Sequence, residues 1–187
     1  ERHAAPPMEI SGKNVVVVGF GRIGTRSSRR CAAFDMNVSV YDPFIDQGKI
    51  SDAGYTPVKD LDAALATADF VTIHCPKSPA TVDLFDAARL AKMKKGAFLV
   101  NTARGGIVNE RALFDALISG HLAGAGLDVF DAEPTPVNND LLTLPNVIAS
   151  PHMAGVTVGS IAGMALVTAQ NILAVIRSEE HTSELQS

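Results

Sequence analysis

The chain has 187 residues with 16 lysines and arginines against 20 aspartates and glutamates, so its formal net charge is −4. Hydrophobic residues make up 47% and charged residues 19%, a composition that excludes an intrinsically disordered chain. The mildly acidic balance gives no general attraction for nucleic acid or for an anionic membrane surface. No uninterrupted apolar run reaches the roughly 18 residues of a membrane span. We therefore expect neither a nucleic-acid partner nor a membrane.

The cysteines and the N-terminus indicate the cellular compartment. Cys31 and Cys75 are the only cysteines, and they form neither a C-x-x-C pair nor a disulfide framework. Residues 1–11 carry charges and two prolines, without the apolar stretch of a secretion signal. These features predict a cytoplasmic protein whose first eleven residues are a linker.

Strand and helix patterns alternate along the chain. Short apolar runs predict strands at residues 14–18, 38–41, 70–74, 97–100, 125–129 and 147–149. Apolar periodicity and capping residues predict helices at 24–33, from Asp60 or Asp62 to 68, from the Asp86 cap to 93, at 110–119 after the Asn109 cap, and at 156–176. This alternation favours an α/β fold of the Rossmann type, with a doubly wound, mostly parallel sheet. We expect the apolar last helix to belong to the core.

A glycine-rich turn follows the first strand. Residues 19–24 read GFGRIG and open a helix. In such a turn Gly19 permits the tight bend, Gly21 lets a pyrophosphate approach the backbone, and Gly24 lets helix and strand pack closely. Asp42 ends the second strand, where a carboxylate can accept hydrogen bonds from both ribose hydroxyls and repels a 2′-phosphate. The glycine-rich turn and Asp42 together favour NAD over NADP, although Asp42 alone is equally consistent with a solvated turn before Pro43.

Three polar clusters follow later strands, where ligands of parallel sheets bind. Arg104, in residues 101–106 (NTARGG), can hold a substrate carboxylate, or be an ordinary surface arginine. Asp128 can accept from a nicotinamide carboxamide, and Glu133 follows it in the next loop. The third cluster, residues 150–155 (SPHMAG), contains His152. Glu133 can orient the His152 imidazole and raise the pKa of that imidazole, which suits a general acid and base in alcohol–carbonyl interconversion. Taken singly, Glu133 is consistent with a solvated loop and His152 with a structural role.

These motifs together resemble one family. VVVVGFGRIG, YDP, IHCP, NTARGG, GLDVF, EP and SPHMAG follow the order and spacing of the NAD-binding domain of D-isomer-specific 2-hydroxyacid dehydrogenases, the family that includes D-3-phosphoglycerate dehydrogenase. The match covers about residues 10–176. It implies a hydride transfer between a D-2-hydroxy acid and NAD.

The resemblance also implies roles for individual residues. Arg104 would bind the substrate, His152 would be the general acid/base, and Glu133 would be its partner. The residues implied to contact the cofactor are Gly19, Gly21, Arg22, Ile23, Gly24, Asp42, Cys75, Pro76, Thr81, Thr102, Ala103, Arg104, Asp128, His152 and Gly155. His74 and His121 keep structural readings, and no group of residues has metal-ligand spacing.

Two departures bear on the substrate. Residues 152–157 read HMAGVT, not the HLGAST-like run of phosphoglycerate dehydrogenases, which argues against phosphoglycerate within the expected range of phosphoglycerate, glyoxylate, hydroxypyruvate or a similar acid. Glu133 argues against a formate dehydrogenase, which has glutamine as the histidine's partner. An NAD(H)-sensing binding protein or corepressor on the same fold is the alternative.

The resemblance divides the chain into four parts. Residues 1–11 would be a linker from a missing N-terminal segment of a substrate domain, and 12–155 would be the NAD-binding domain. Residues 156–176 would be a helix leading back toward the substrate domain, with part of its face exposed in this chain. Residues 177–187 (RSEEHTSELQS) resemble a translated sequencing adapter and are predicted to be a non-native tail. We expect a single domain of a two-domain enzyme that is a homodimer in its full-length form, and a fragment that binds NAD without turnover.

Overall fold

The computed structural model describes residues 8–177. Most of the predicted linker and nearly all of the predicted tail therefore lie outside the described residues. The chain divides into two compact units, Glu1–Pro151 and His152–Ser187.

Strands and helices alternate through the described residues, as the sequence predicts. The strands are β1 Asn14–Val18, β2 Asn37–Tyr41, β3 Thr56–Pro57, β4 Phe70–Ile73, β5 Phe98–Asn101, β6 Gly124–Leu127 and β7 Val147–Ala149. The α-helices are α1 Arg22–Ala33, α2 Gln47–Asp52, α3 Leu61–Leu65, α4 Ala87–Lys92, α5 Glu110–Ile118 and α6 Val158–Ile176. A short 3₁₀ helix, Asp140–Thr143, precedes β7.

The seven strands form one sheet in the order β3-β2-β1-β4-β5-β6-β7. Every described pairing is parallel; Val16, for example, pairs with Ser39 of β2 on one side and with Val71 of β4 on the other. The chain runs outward from β1 to β3 and then returns to β4 on the other side of β1. This reversal defines the doubly wound fold that the alternation predicts.

Both faces of the sheet are buried, which explains the unbroken apolar run of β1. Val15 and Val17 pack with Val40 in one cluster, whereas Val16 and Val18 belong to the larger cluster on the opposite face. Successive strand residues point to opposite faces, so a strand covered on both sides needs apolar residues at every position.

Capping side chains begin the short helices where the sequence indicates. Asp60, Asp86 and Asn109 each accept a hydrogen bond from a backbone N–H in the first turn of the following helix. Gly120 follows α5 with a φ of 69°, in the left-handed region that glycine adopts readily. Of these caps, Asp86 and Asn109 begin the helices that follow the loops after β4 and β5, which carry candidate site residues.

Helix α2 and strand β3 lie in the long stretch between β2 and α3, where no element was predicted. Helix α2 has six residues without clear apolar periodicity, and β3 is a two-residue edge strand that contains Pro57. Strand predictions were also too long at two ends, because His74 and Val129 lie just beyond β4 and β6.

The prediction that the last helix belongs to the core is wrong in this structure, whereas the expectation that part of its face is exposed is confirmed. None of the residues of α6 is buried. It is the only helix among the described residues of the unit His152–Ser187, and a single helix cannot bury its own apolar side chains. By length and composition α6 could span a membrane, with a hydropathy of 1.6, although core helices of soluble proteins meet the same criterion. Residues such as Gly, Ser, Gln and Asn interrupt its sequence, so the helix contains no uninterrupted apolar run of about 18 residues.

Candidate functional site

The loop after β1, residues 19–24 (the glycine loop), lies where the strand order reverses, because β1 is flanked by β2 and β4. Gly19 has a φ of 96°, and a Cβ on it would lie 2.6 Å from the backbone nitrogen of Cys75. A side chain at Gly19 would therefore collide with the loop that follows β4. Ligands of doubly wound sheets bind at such a reversal.

The other two glycines of this loop meet different surroundings. A Cβ on Gly24 would lie 1.9 Å from the carbonyl oxygen of Gly19, so only glycine allows α1 to pack against the turn. A Cβ on Gly21 would meet no atom within 4 Å. Gly24 is therefore required by packing, whereas Gly21 borders open space that a ligand backbone or phosphate can occupy.

The N-terminus of α1 points to an anionic ligand in that space. Gly21 is the N-cap residue, and no side chain caps the helix. The unpaired N–H groups of the first turn and the helix dipole favour a phosphate there. Arg22 and Ile23, the first two residues of α1, are exposed beside it.

Asp42 connects the glycine loop to the end of β2. One carboxylate oxygen accepts a hydrogen bond from the N–H of Phe20 at 2.7 Å, and the other accepts from the N–H of Phe44 at 2.9 Å. The two bonds fix the orientation of the carboxylate, and each oxygen keeps a lone pair for a ribose hydroxyl.

A pocket of about 320 Å³, the glycine-loop pocket, joins these elements. Its lining includes Gly21, Asp42, Cys75, Pro76 and Thr81. The Thr81 hydroxyl donates to the carbonyl of Pro76 and accepts from the N–H of Ser78, both at 2.7 Å. Thr81 therefore braces the loop that forms this wall, and the cradle fits an adenosine diphosphate moiety.

The loop after β5, residues 101–106 (the arginine loop), presents Arg104. The buried Asn101 side chain accepts from the N–H of Ala103 at 3.0 Å and donates to the carbonyl of Arg104 at 2.9 Å. A Cβ on Gly105 would lie 1.8 Å from the carbonyl oxygen of Phe130, so this loop rests directly on the segment after β6.

Glu133 belongs to that segment. One of its carboxylate oxygens accepts a hydrogen bond from the N–H of Phe130 at 3.1 Å. We call the segment after β6 that contains Phe130 and Glu133 the Glu133 loop. The contact between Gly105 and Phe130 brings the arginine loop and the Glu133 loop together in the first unit. Asp128 is buried nearby and accepts a hydrogen bond from the Ser150 hydroxyl, a contact that fixes its carboxylate.

His152 and Gly155 lie in the second unit. His152 has a φ of 56°, an uncommon backbone conformation for a residue with a side chain, and such conformations cluster at functional sites. The Gly155 carbonyl accepts a hydrogen bond from Ser160 in the first turn of α6. The expected pairing of Glu133 with His152 joins the two units and stays a prediction.

A second pocket of about 660 Å³, the cationic pocket, is lined by Arg22, Lys77 and Arg104 together with Thr102 and Ala103. His74 and Cys75 line both pockets. Burial lowers the pKa of His74 and raises the pKa of the Cys75 thiol, to which the Asp42 charge adds a smaller effect. The imidazole and the thiol are therefore uncharged wall groups near neutral pH, in line with the structural reading of His74.

Some residues that organise the site were not predicted as site residues. Asn101 and Ser150 hold Arg104 and Asp128 in place, and Phe44 supplies a backbone N–H to Asp42. The signal for Asn101 is its polar side chain at the carboxyl end of an otherwise apolar strand. His121, read as structural, hydrogen-bonds the carbonyl of Leu90 at 3.1 Å.

The parallel sheet, the glycine loop at its reversal and the anchored Asp42 define a dinucleotide-binding domain of the Rossmann class. Residues 1–154 match the family described as D-isomer specific 2-hydroxyacid dehydrogenase, NAD binding domain. The chain belongs to this family, and its cofactor is NAD.

Curated relatives agree with this membership. The chain is 39% identical over 173 residues to the D-3-phosphoglycerate dehydrogenase of Archaeoglobus fulgidus, covering 92% of this chain and 33% of the relative. It is 41% identical over 174 residues to the glyoxylate reductase of Thermofilum pendens, covering 91% of this chain and 50% of the relative. The chain thus spans between a third and a half of the length of these relatives.

Solved structures share the fold. A structure reported with the pyruvate reductase of Chlamydomonas reinhardtii superposes with a TM-score of 0.89 at 31% identity, covering 98% of this chain and 59% of that one. The D-lactate dehydrogenase of Lactobacillus jensenii, solved with NAD⁺, gives 0.85 at 29% identity, covering 94% and 56%. These relatives are reductases and dehydrogenases, and they give no support to the alternative of a sensor or corepressor.

Proposed function

We propose that the protein carrying this domain oxidises a D-2-hydroxy acid with NAD and, in reverse, reduces the 2-oxo acid. The observation that supports this most is the direct contact between the arginine loop and the Glu133 loop, beside the cradle for NAD. An anion-binding arginine and a carboxylate are thereby held at the edge of the cofactor site.

Each residue has a distinct task in this proposal. The Arg104 guanidinium binds the substrate carboxylate through its planar fork. His152 removes the proton of the C2 hydroxyl during oxidation and returns it during reduction. Glu133 orients the imidazole and favours its protonated form. Bound NAD supplies the two-electron acceptor for the hydrogen at C2.

The residues that would hold NAD are those of the glycine loop, Asp42 and the loop after β4. Asp42 favours NAD because a 2′-phosphate would meet its negative charge. We further propose that the chain alone binds NAD without turnover. The homodimeric state, the cytoplasmic location and the range of acceptable acids also stay predictions.

The test compares two histidine variants in the full-length protein. His152→Gln should lower kcat by ~10²–10⁴-fold, the worth of a general acid/base, and leave NADH affinity close to the wild-type value. His121→Gln is the matched control, because that histidine contacts a backbone carbonyl outside the site. Near-wild-type turnover by His152→Gln would contradict the assignment of the proton-transfer group. Tight NADH binding by wild-type protein without turnover of any 2-hydroxy acid would favour a sensor.

A further inference from the structure

The cationic pocket holds more positive charge than the proposed reaction uses. Three cationic side chains line it, those of Arg22, Lys77 and Arg104, and no carboxylate is among its lining residues. The chain as a whole has more acidic than basic residues. The local excess is therefore a feature of the pocket and not of the overall composition.

Two of the three cations have partners in the proposed complex. Arg22 is the first residue of α1, next to the expected position of the pyrophosphate. Arg104 is assigned to the substrate carboxylate. A 2-hydroxy acid with a single charge leaves no anion for Lys77.

The Lys77 ammonium lies close to the arginine loop, whose Arg104 is assigned to the substrate. A Cβ built on Gly106 would lie 2.5 Å from the Lys77 Nζ, so the ammonium rests against the backbone two residues beyond Arg104. The left-handed φ of 78° at Gly106 fits glycine, whose missing side chain leaves this place to the lysine.

The ammonium is available to bind a ligand. Among residues 8–177, Lys77 makes no ion pair and no side-chain hydrogen bond. Asp131 interacts electrostatically with Lys77, and its Oδ1 lies 3.6 Å from the same Cβ built on Gly106, but the two side chains form no salt bridge among the described residues. Burial and the neighbouring Glu110 raise the pKa of Asp131 more than Lys77 lowers it. Lys77 is exposed, so a ligand can reach it.

We infer that Lys77 is a specificity-determining residue that binds a second anionic group, a phosphate or a carboxylate, on the 2-hydroxy acid held by Arg104. The planar guanidinium suits the carboxylate next to the reacting carbon, and the compact ammonium suits an anion at the other end. The inference rests on the proposed function and narrows its substrate class to acids with two anionic groups.

Kinetics of the full-length protein test the inference with three probes. 3-Phosphoglycerate carries a second anion as phosphate, D-malate carries it as carboxylate, and D-lactate carries none. Lys77→Met should lower kcat/KM about tenfold for at least one doubly charged probe, as expected for a charge-assisted hydrogen bond at an exposed site. D-lactate turnover should stay unchanged, and Lys77→Arg should restore part of the loss. The probe that loses turnover identifies the anion.

Lys95→Met is the matched control. Lys95 is exposed and precedes β5 at the opposite edge of the sheet, so removing its charge should change none of the three rates. An equal loss of kcat/KM for all three probes in Lys77→Met would overturn the inference, because it would show that Lys77 acts on cofactor binding or on folding and not on the second anionic group. Unchanged rates for both doubly charged probes would overturn it as well.

A binding measurement separates this inference from the proposed function. Each hydroxy acid forms a non-reacting complex with NADH-loaded protein, and calorimetry gives its Kd. Wild-type protein should bind a doubly charged acid more tightly than D-lactate, and Lys77→Met should remove that preference. If the protein shows this preference but turns over no hydroxy acid, the proposed function fails and the anion site stands. A preference that survives Lys77→Met overturns the anion site alone.

Discussion

Two glycines of the same motif should respond in opposite ways to the addition of one methyl group. Gly21 borders open space, with φ −74° and ψ −161°, which alanine also adopts. Alanine is a poorer N-cap residue than glycine, which destabilises the fold, whereas alanine lowers the entropy of the unfolded chain, which stabilises it. Because the two effects oppose each other, Gly21→Ala should change the free energy of unfolding by no more than about 1 kcal/mol. Its methyl group, however, would project toward the expected pyrophosphate.

Gly24→Ala should damage the fold. Its Cβ would lie 1.9 Å from the Gly19 carbonyl oxygen, and neither backbone segment can move without shifting β1 or α1. Relief of this overlap should cost about 3 kcal/mol, the upper end of the range for overpacked cores. The same motif therefore contains one position that serves the ligand and one that serves packing.

The assay combines urea unfolding with NADH fluorescence titration on the same preparations. Gly21→Ala should unfold near the wild-type midpoint and bind NADH at least ~10-fold more weakly, a loss of about 1.4 kcal/mol. Gly24→Ala should lose stability. Wild-type NADH affinity in Gly21→Ala would contradict a role for Gly21 at the pyrophosphate, and equal destabilisation by both substitutions would contradict the different packing of the two glycines.

Three other substitutions test separate parts of the site. Asp42→Asn replaces one carboxylate oxygen that accepts a hydrogen bond from a backbone N–H, so NADH should bind more weakly. The preference of the protein for NADH over NADPH should also shrink. An unchanged ratio of the Kd values for NADH and NADPH would exclude Asp42 from the ribose site. Asn101→Ala removes the two hydrogen bonds between the Asn101 side chain and the arginine loop, so kcat/KM should fall while NADH affinity stays near the wild-type value. Equal losses of kcat/KM and of NADH affinity would indicate general unfolding. Burial lowers the pKa of His74 below 6.5, so the unfolded chain binds more protons and stability should decrease as the pH falls below about 6.5. His74→Gln should make that decrease shallower in unfolding curves at several pH values, and an identical slope would exclude this histidine as its source.

The pattern of apolar, capping and glycine residues in the sequence predicts most of the strands and helices of the fold. Strand β1 and helix α1 are recognisable because burial on both sheet faces demands the Val15–Val18 run and because GFGRIG has a specific steric purpose. Helix α2 and strand β3 could not be predicted, since short elements at a sheet edge bury too little surface to impose a periodic pattern. The exposure of α6 depends on what surrounds the helix, which its own composition does not encode.

The candidate site was predictable as residue types but not as contacts. The motifs identify Asp42, Arg104 and Glu133, yet the N–H groups that fix Asp42 and Glu133 belong to Phe20 and Phe130, whose side chains suggest only core packing. Backbone donors leave no signature in a sequence. The significance of Lys77 likewise depends on the position of its ammonium against Gly106, which the sequence does not indicate.

The most direct test of the proposed reaction is stereochemical. The full-length protein is incubated with NAD and either the D or the L enantiomer of a 2-hydroxy acid, and NADH formation is followed by absorbance. We expect NADH from the D enantiomer, a rate that depends strongly on Arg104 and His152, and no NADH from the L enantiomer. NADH formation from the L enantiomer at a comparable rate, or no NADH from any D-2-hydroxy acid, would contradict it.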